Sequence, residues 1–283
     1  MYPDICYVNS NNVVLDLTSF PYLVNDINEI TDYSWDYEAN DAQKVVSFSR
    51  GVCEIPITIN ILANTHEEYV QARKRLFEAL ETDVLNNARG RLYYHGQYVL
   101  CNAVTSKKKD WNMGVDFALV YIKFVTDWPY WITEETFEYL PYSGAESKSI
   151  GGQNYPYNYP YNYPHNYTNT QKGNGIIRNE HYADCNFSMT IYGKSLNPRV
   201  SINGHVYEVF TSVDDGEYMV IDSKSKTIRR YKANKQIVNE FGSRNMESSV
   251  FKLIPTGKSN VIWDGSFGID ITLYHERSEL LLI

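Results

Sequence analysis

A four-residue repeat in the middle of the chain limits what the rest can fold into. Asn154 to Asn169 reads NYPYNYPYNYPHNYTN, a run of Tyr-Pro-Tyr-Asn units with Pro156, Pro160 and Pro164 at every fourth position. Each proline fixes its own φ and removes one backbone donor, and the residue before it is pushed towards extended geometry. A prolyl at that spacing fits neither a helix nor the middle of a sheet. Gly151-Gly152 precedes the run and Gly173-Asn174-Gly175 follows it. The stretch 151–175 therefore reads as an inter-domain joint, stiffer than a Gly/Ser tether. A disordered low-complexity tract is the plainer alternative. The density of tyrosine speaks against it, because disorder favours few aromatics. The rings are expected on a surface, of this chain or of a neighbouring copy. Tyr157, Tyr159, Tyr161 and Tyr163 are the candidate contact residues in this joint.

The joint divides the 283 residues into 1–150 and 176–283, each of ordinary domain size. The chain carries 25 tyrosines, a residue common in strands and at interfaces. Its net charge of −8 gives no general electrostatic case for binding nucleic acid. No run approaches the roughly 18 apolar residues of a membrane span. The first ten residues, MYPDICYVNS, lack a basic region followed by an apolar one, so no signal peptide is expected. Cys6, Cys53, Cys101 and Cys185 are far apart and form no CxxC pair, which points to reduced thiols.

Taken in order, residues 2–30 hold short strand-like pieces. Residues 31–43, TDYSWDYEANDAQ, are polar and acidic with aromatics interspersed, and read as a loop or excursion. Such an excursion can serve as an arm reaching a neighbour, with Trp35 and Tyr37 as its contacts. Ile55, Ile57, Ile59 and Ile61 share one face of a strand by period-two alternation. Pro56 points off that face and argues for an edge position or strand start. The only helix expected runs over about 66–82. Thr65 is its N-cap and Glu68 stands at capping-box spacing. Tyr69, Ala72, Leu76 and Leu80 form its apolar stripe. Strands resume from Gly90, with Lys107-Lys108-Lys109 as a solvated loop. After Ile176 there is no helix signal, only many short strands divided by turn residues such as Asn203-Gly204. That pattern predicts an antiparallel sandwich. The fold class is thus mainly β: a sandwich-like first domain with one helix, the Pro/Tyr joint, and an all-β second domain.

No constellation carries chemistry. The six histidines stand at no metal-ligand spacing from one another or from cysteine. Asp214-Asp215-Gly216 is better explained as a hairpin turn than as an acid pair. There is no GxSxG, P-loop or GxGxxG. Neither an enzyme nor a cofactor site is expected.

Several stretches resemble the distal tail (Dit) proteins of long-tailed, siphovirus-type bacteriophages. They are Arg75-Leu76-Phe77-Glu78-Ala79-Leu80 leading through Gly90-Arg91-Leu92-Tyr93-Tyr94, then Asp127-Trp128-Pro129-Tyr130-Trp131, and the repeat itself. In the second half they are Leu196 to Gly204, Gly216 to Asp222 and Phe251 to Gly257. These are packing and turn patterns, so the likeness is architectural, and Trp128 stands where an Asp-Pro pair is more usual. The resemblance implies a homohexameric ring built from the first domain, joining the tail tube to the tail-tip hub. It implies a galectin-like second sandwich that anchors receptor-binding proteins, and tape measure protein as a further neighbour. It places the chain in the virion, made in the host bacterial cytoplasm, with DNA passing through the lumen without specific binding and no membrane partner. The alternative is a carbohydrate-binding adhesin acting through the second sandwich, with Trp263, Asn260 and Asp264 as its candidate group.

Overall fold

The computed structural model describes residues 2–110, 116–141 and 173–281. The Tyr-Pro-Tyr-Asn repeat, with Tyr157, Tyr159, Tyr161 and Tyr163, lies outside the described residues. The chain divides into two compact units, Met1–Thr133 with His275–Ile283, and Glu134–Tyr274. Each is built mainly from antiparallel strands.

In the first unit the order is β1 (Ile5–Val8), β2 (Val14–Asp16), β3 (Tyr22–Asp26), β4 (Asp36–Ala39), β5 (Val45–Ser49), β6 (Cys53–Leu62), α1 (His66–Leu85), β7 (Gly90–Tyr94), β8 (Gln97–Asp110), β9 (Phe117–Thr126) and the start of β10 (Trp131–Tyr139). The first half of β8 pairs β7, which continues to β1 and β2; the second half pairs β9, which continues to β6 and β3. Ile57, Ile59 and Ile61 are buried, as the alternation predicts, facing Leu76 and Leu80 of α1 and Val120, Ile122 and Phe124 of β9 in one core. Pro56 pairs only towards β9, because β3 reaches β6 no earlier than Thr58. A missing N–H is tolerated where one side of the strand is bare.

Thr65 caps α1 by accepting from the Glu68 amide at 3.2 Å, and the Glu68 carboxylate accepts from the Asn64 amide at 3.0 Å. The helix runs three residues beyond the expected end at 82. Asp83 is fully buried in that extra stretch; it accepts from the Tyr7 hydroxyl at 2.5 Å and from the Ser10 amide at 2.8 Å. A buried hydroxyl and a half-buried amide that need this carboxylate keep the last turn wound. Lys107 and Lys108 belong to β8 instead of a loop, and the Lys108 ammonium lies 4.2 Å from the Phe77 ring centroid.

The second unit begins within β10 and adds β11 (Gly173–Asn179), β12 (Asn186–Tyr192), β13 (Ser195–Leu196), β14 (Arg199–Ile202), β15 (His205–Glu208), β16 (Ser212–Val213), β17 (Tyr218–Asp222), β18 (Thr227–Tyr231), β19 (Ile237–Asn239), β20 (Gly257–Trp263) and β21 (Gly268–Arg277). One sheet runs β19-β18-β17-β12-β21-β10, the other β11-β20-β14-β15. Phe187, Met189, Ile191, Val200, Ile202, Met219, Ile221, Val261, Ile269, Ile271 and Leu273 close the core of this sandwich. Asn203 and Gly204, at φ 49° and 81°, make the expected tight turn.

The units do not part where the sequence reading put its borders. Gly173, Asn174 and Gly175, expected in the joint, pair with Trp263, Ile262 and Val261 as the start of β11. The chain also returns to the first unit after Tyr274. The Gln97 side chain, 2% exposed, donates to the Leu281 carbonyl at 2.8 Å and accepts from its amide at 3.1 Å. Leu280 is buried in the first core. A short apolar tail held by one glutamine carries no periodicity that a sequence reading could use.

Arg230 is held between Glu240 and Glu217, at 2.8 and 2.9 Å. Burial acts to raise the Glu240 carboxyl, but hydrogen bonds from Arg230, Ser243 and Thr211, with the Arg230 charge, hold it below the usual glutamate value. A lowered folded-state pKa contributes stability above the unfolded value, lost as pH falls through the folded one. The thermal midpoint of the second unit should therefore fall as pH drops below about 4.5, the ordinary glutamate range. Glu240→Gln should flatten part of that dependence; identical pH profiles for the two proteins, measured by calorimetry, would count against the coupling.

Candidate assembly interface

Residues 31–43, expected as a loop, contain half of a β-hairpin. β4 pairs β5 with Asp36 opposite Ser49, Tyr37 opposite Phe48 and Glu38 opposite Ser47. The Asn40 side chain accepts from the amides of Ala42 and Lys44, and Gln43 takes φ 58° to close the turn. Asparagine serves such turns by folding onto nearby backbone amides. Every residue of both strands is exposed. Alternation places Tyr37, Val46 and Phe48 on one side, at 67%, 61% and 69% exposure, and Ser47 bonds Glu38 on the other. A two-stranded ribbon is marginal in water without a third layer. This one offers an apolar side that nothing among the described residues covers.

The root of the hairpin is fixed. The Arg50 guanidinium lies 5.7 Å from the Trp35 ring and 5.1 Å from the Tyr130 ring, and donates to the Pro129 carbonyl. Trp35 meets Tyr130 edge-on with centroids 6.4 Å apart, and Tyr130 meets Trp128 at 5.4 Å. The Trp128 indole donates to Glu276 at 2.8 Å, while Trp131 is buried in the core. The structure thus brings Trp35 against the Asp127-Trp128-Pro129-Tyr130-Trp131 cluster. Tyr37, the other arm candidate, stays out on the ribbon. Arg50 was missed by the sequence reading; its only signal was a lone arginine just after an apolar strand. Beside this root opens a cleft of about 360 Å³. Glu29, Asp32, Glu54 and Arg50 are among its lining residues.

Among the described residues, no three or more His, Cys, Asp or Glu side chains are grouped to hold a metal ion. Burial, helped by Asp16, pushes the Cys6 thiol up to about 11, and burial pushes Cys101 higher still, so both stay protonated at neutral pH. Asp214 accepts from the Glu217 amide in the turn before β17, with Gly216 at φ 78°. Trp263 is 7% exposed and donates to the Phe267 carbonyl at 3.0 Å, so it is a core residue. Asn260 is bonded to Asn203, and Asp264 to Ser266. Trp263 therefore presents no exposed ring beside Asn260 and Asp264. Among the described residues, no helix is long and apolar enough to cross a membrane.

Arg50→Ala removes two cation–ring contacts and one hydrogen bond, together worth about 1–3 kcal/mol. It should leave the core folded and free the ribbon, seen as faster proteolytic cleavage within 36–49 and a changed Trp35 fluorescence. Unchanged cleavage would show that the root is held by something else.

No family model matches the sequence, and no curated protein matches it. Solved structures do. The crystal structure of the Dit protein (gp 19.1) of phage SPP1, described as a paradigm of the hub adsorption apparatus in phages infecting Gram-positive hosts, matches at a TM-score of 0.56 and 12% identity. The match covers 96% of this chain and 99% of that one. Chains of the phage P2 baseplate in its activated conformation match at TM-scores of 0.59 with calcium and 0.60 with strontium. Their identities are 15% and 14%, and each match covers 98% of this chain and 99% of that one. The chain therefore has, over nearly its whole length, the fold of the SPP1 Dit protein and of the matching P2 baseplate chain.

Proposed function

We propose that this chain is a non-enzymatic structural component of a phage tail tip, located in the virion. Copies of it associate through the first unit into a closed ring, a homohexamer. The ring joins the tail tube to the tail-tip hub and anchors host-adhesion proteins, with tape measure protein as a further neighbour. The fold likeness to the Dit and baseplate chains supports the location. The observation that carries the assembly is the ribbon of β4 and β5, with Tyr37, Val46 and Phe48 turned to solvent on one side. Burying one such side chain contributes about 1.5–3 kcal/mol, so a contact that covers all three repays much of the cost of association. A contact between the ribbon of one copy and a different patch of the next is heterologous, and heterologous contacts close into rings when the rotation permits. The net charge of −8 is consistent with a lumen through which DNA slides without adhering.

Native mass spectrometry of the wild-type chain should show a hexamer that grows with concentration. The double variant Val46→Lys, Phe48→Lys should remain monomeric at the same concentrations with an unchanged melting temperature. Equal mass distributions for the two proteins would contradict an assembly through the ribbon.

A further inference from the structure

The larger sheet of the second unit turns one face to its core and the other outward. On the outward face, Tyr192 of β12, Tyr218 of β17 and Tyr231 of β18 are register partners in a single row. Tyr218 and Tyr231 stack with centroids 4.7 Å apart and planes 9° from parallel, and Tyr218 is 42% exposed. The same row continues to Gly268 of β21, where a Cβ would run into the Tyr192 ring. That ring thus lies over the glycine's backbone, and glycine is what permits it.

The next row holds Asp270, Thr190, Val220 and Arg229, and the one after it Thr272, Ser188, Asp222 and Thr227. Asp270 is hydrogen-bonded to the Tyr192 hydroxyl and lies beside Glu138; burial, and then Glu138, raise its carboxyl above the usual aspartate value. Thr136 and Thr272 share a hydrogen bond of 2.9 Å. β19 adds Ile237 beside Tyr231, 56% exposed, and Asn239 beside Arg229; Val220 and Ile237 are the aliphatic side chains in these three rows.

The core of a protein–protein contact is aromatic together with aliphatic, and depleted of charge. This face has two aliphatic side chains at separate positions, and is otherwise aromatic together with hydroxyl, carboxylate, amide and guanidinium. A pyranose presents an apolar C–H face that stacks on an aromatic ring, and a rim of hydroxyls that exchange hydrogen bonds with such groups. Strands lie about 4.8 Å apart, so the three tyrosines span about 10 Å, enough for an oligosaccharide. Glu138, Asp270 and Asp222 outnumber Arg229, which disfavours an anionic sugar polymer. We propose that this face binds a neutral oligosaccharide. The site is separate from Trp263 and does not depend on ring assembly.

The full chain is applied to an array of neutral and anionic glycans, and the strongest neutral ligand is then titrated calorimetrically. Tyr192→Ala and Tyr218→Ala should each weaken binding about tenfold, the scale of one lost ring contact. Ile262→Ala, on the other sheet, should leave it unchanged. The exposed Tyr218 keeps the test valid if Tyr192→Ala unfolds. The proposal is overturned if no neutral glycan binds above background, or if Tyr218→Ala binds as wild type. It is equally overturned if these substitutions abolish self-association instead, since the face is then a contact between copies. Failure of sugar binding leaves the ring reading untouched, because that reading rests on the ribbon.

Discussion

Two ladders and two apolar faces have to close in the first unit, and one 14-residue strand closes both. β8 gives its first half to β7 and its second to β9. A strand shared in this way fixes where β9 ends, and hence where Pro129 and Tyr130 present a carbonyl and a ring to Arg50. The ribbon that leaves between β3 and β6 inherits its direction from that contact. Backbone pairing, packing and the candidate interface are therefore one chain of cause: if β8 slipped by one residue, its buried side chains would turn to solvent and the anchor of the ribbon would move.

The second unit solves a different problem. Its core is closed by two sheets without any α-helix among the described residues, and Arg230 is held between Glu217 and Glu240. An arginine satisfied by two carboxylates costs little to bury, whereas removing either partner leaves charge without compensation. The opposite face of the larger sheet is left for polar side chains and the tyrosine row. Assembly and ligand contact can thus be assigned to different units, each with its own core.

Much of the strand pattern was legible because burial imposes a period of two. Ile57, Ile59 and Ile61 announced β6, and Asn203-Gly204 announced the turn between β14 and β15. The helix was legible from its cap and stripe, but its last turn was not, since Asp83 is a poor apolar marker and is buried only for the sake of Tyr7 and Ser10. The ribbon was half seen: Trp35 and Tyr37 were picked out, but the polar sequence of 36–43 hid the strand, because neither face of it is buried in this chain. Arg50, the return of Leu280 and Leu281, and the tyrosine row depend on partners far away in sequence. Tyr192, Tyr218 and Tyr231 are 13 to 39 positions apart and become neighbours only through the register of three strands.

Ring assembly through the first unit requires that a second copy of the chain cover the apolar side of the ribbon. Hydrogen exchange read by mass spectrometry, on the monomer and on the assembled particle, tests this most directly. The amides of Val45–Ser49 should exchange quickly in the monomer, as expected of a two-stranded ribbon in water, and slow by about tenfold or more in the assembly. Equal and fast exchange in both states would mean that the ribbon stays bare, and the interface would have to be sought elsewhere on the first unit.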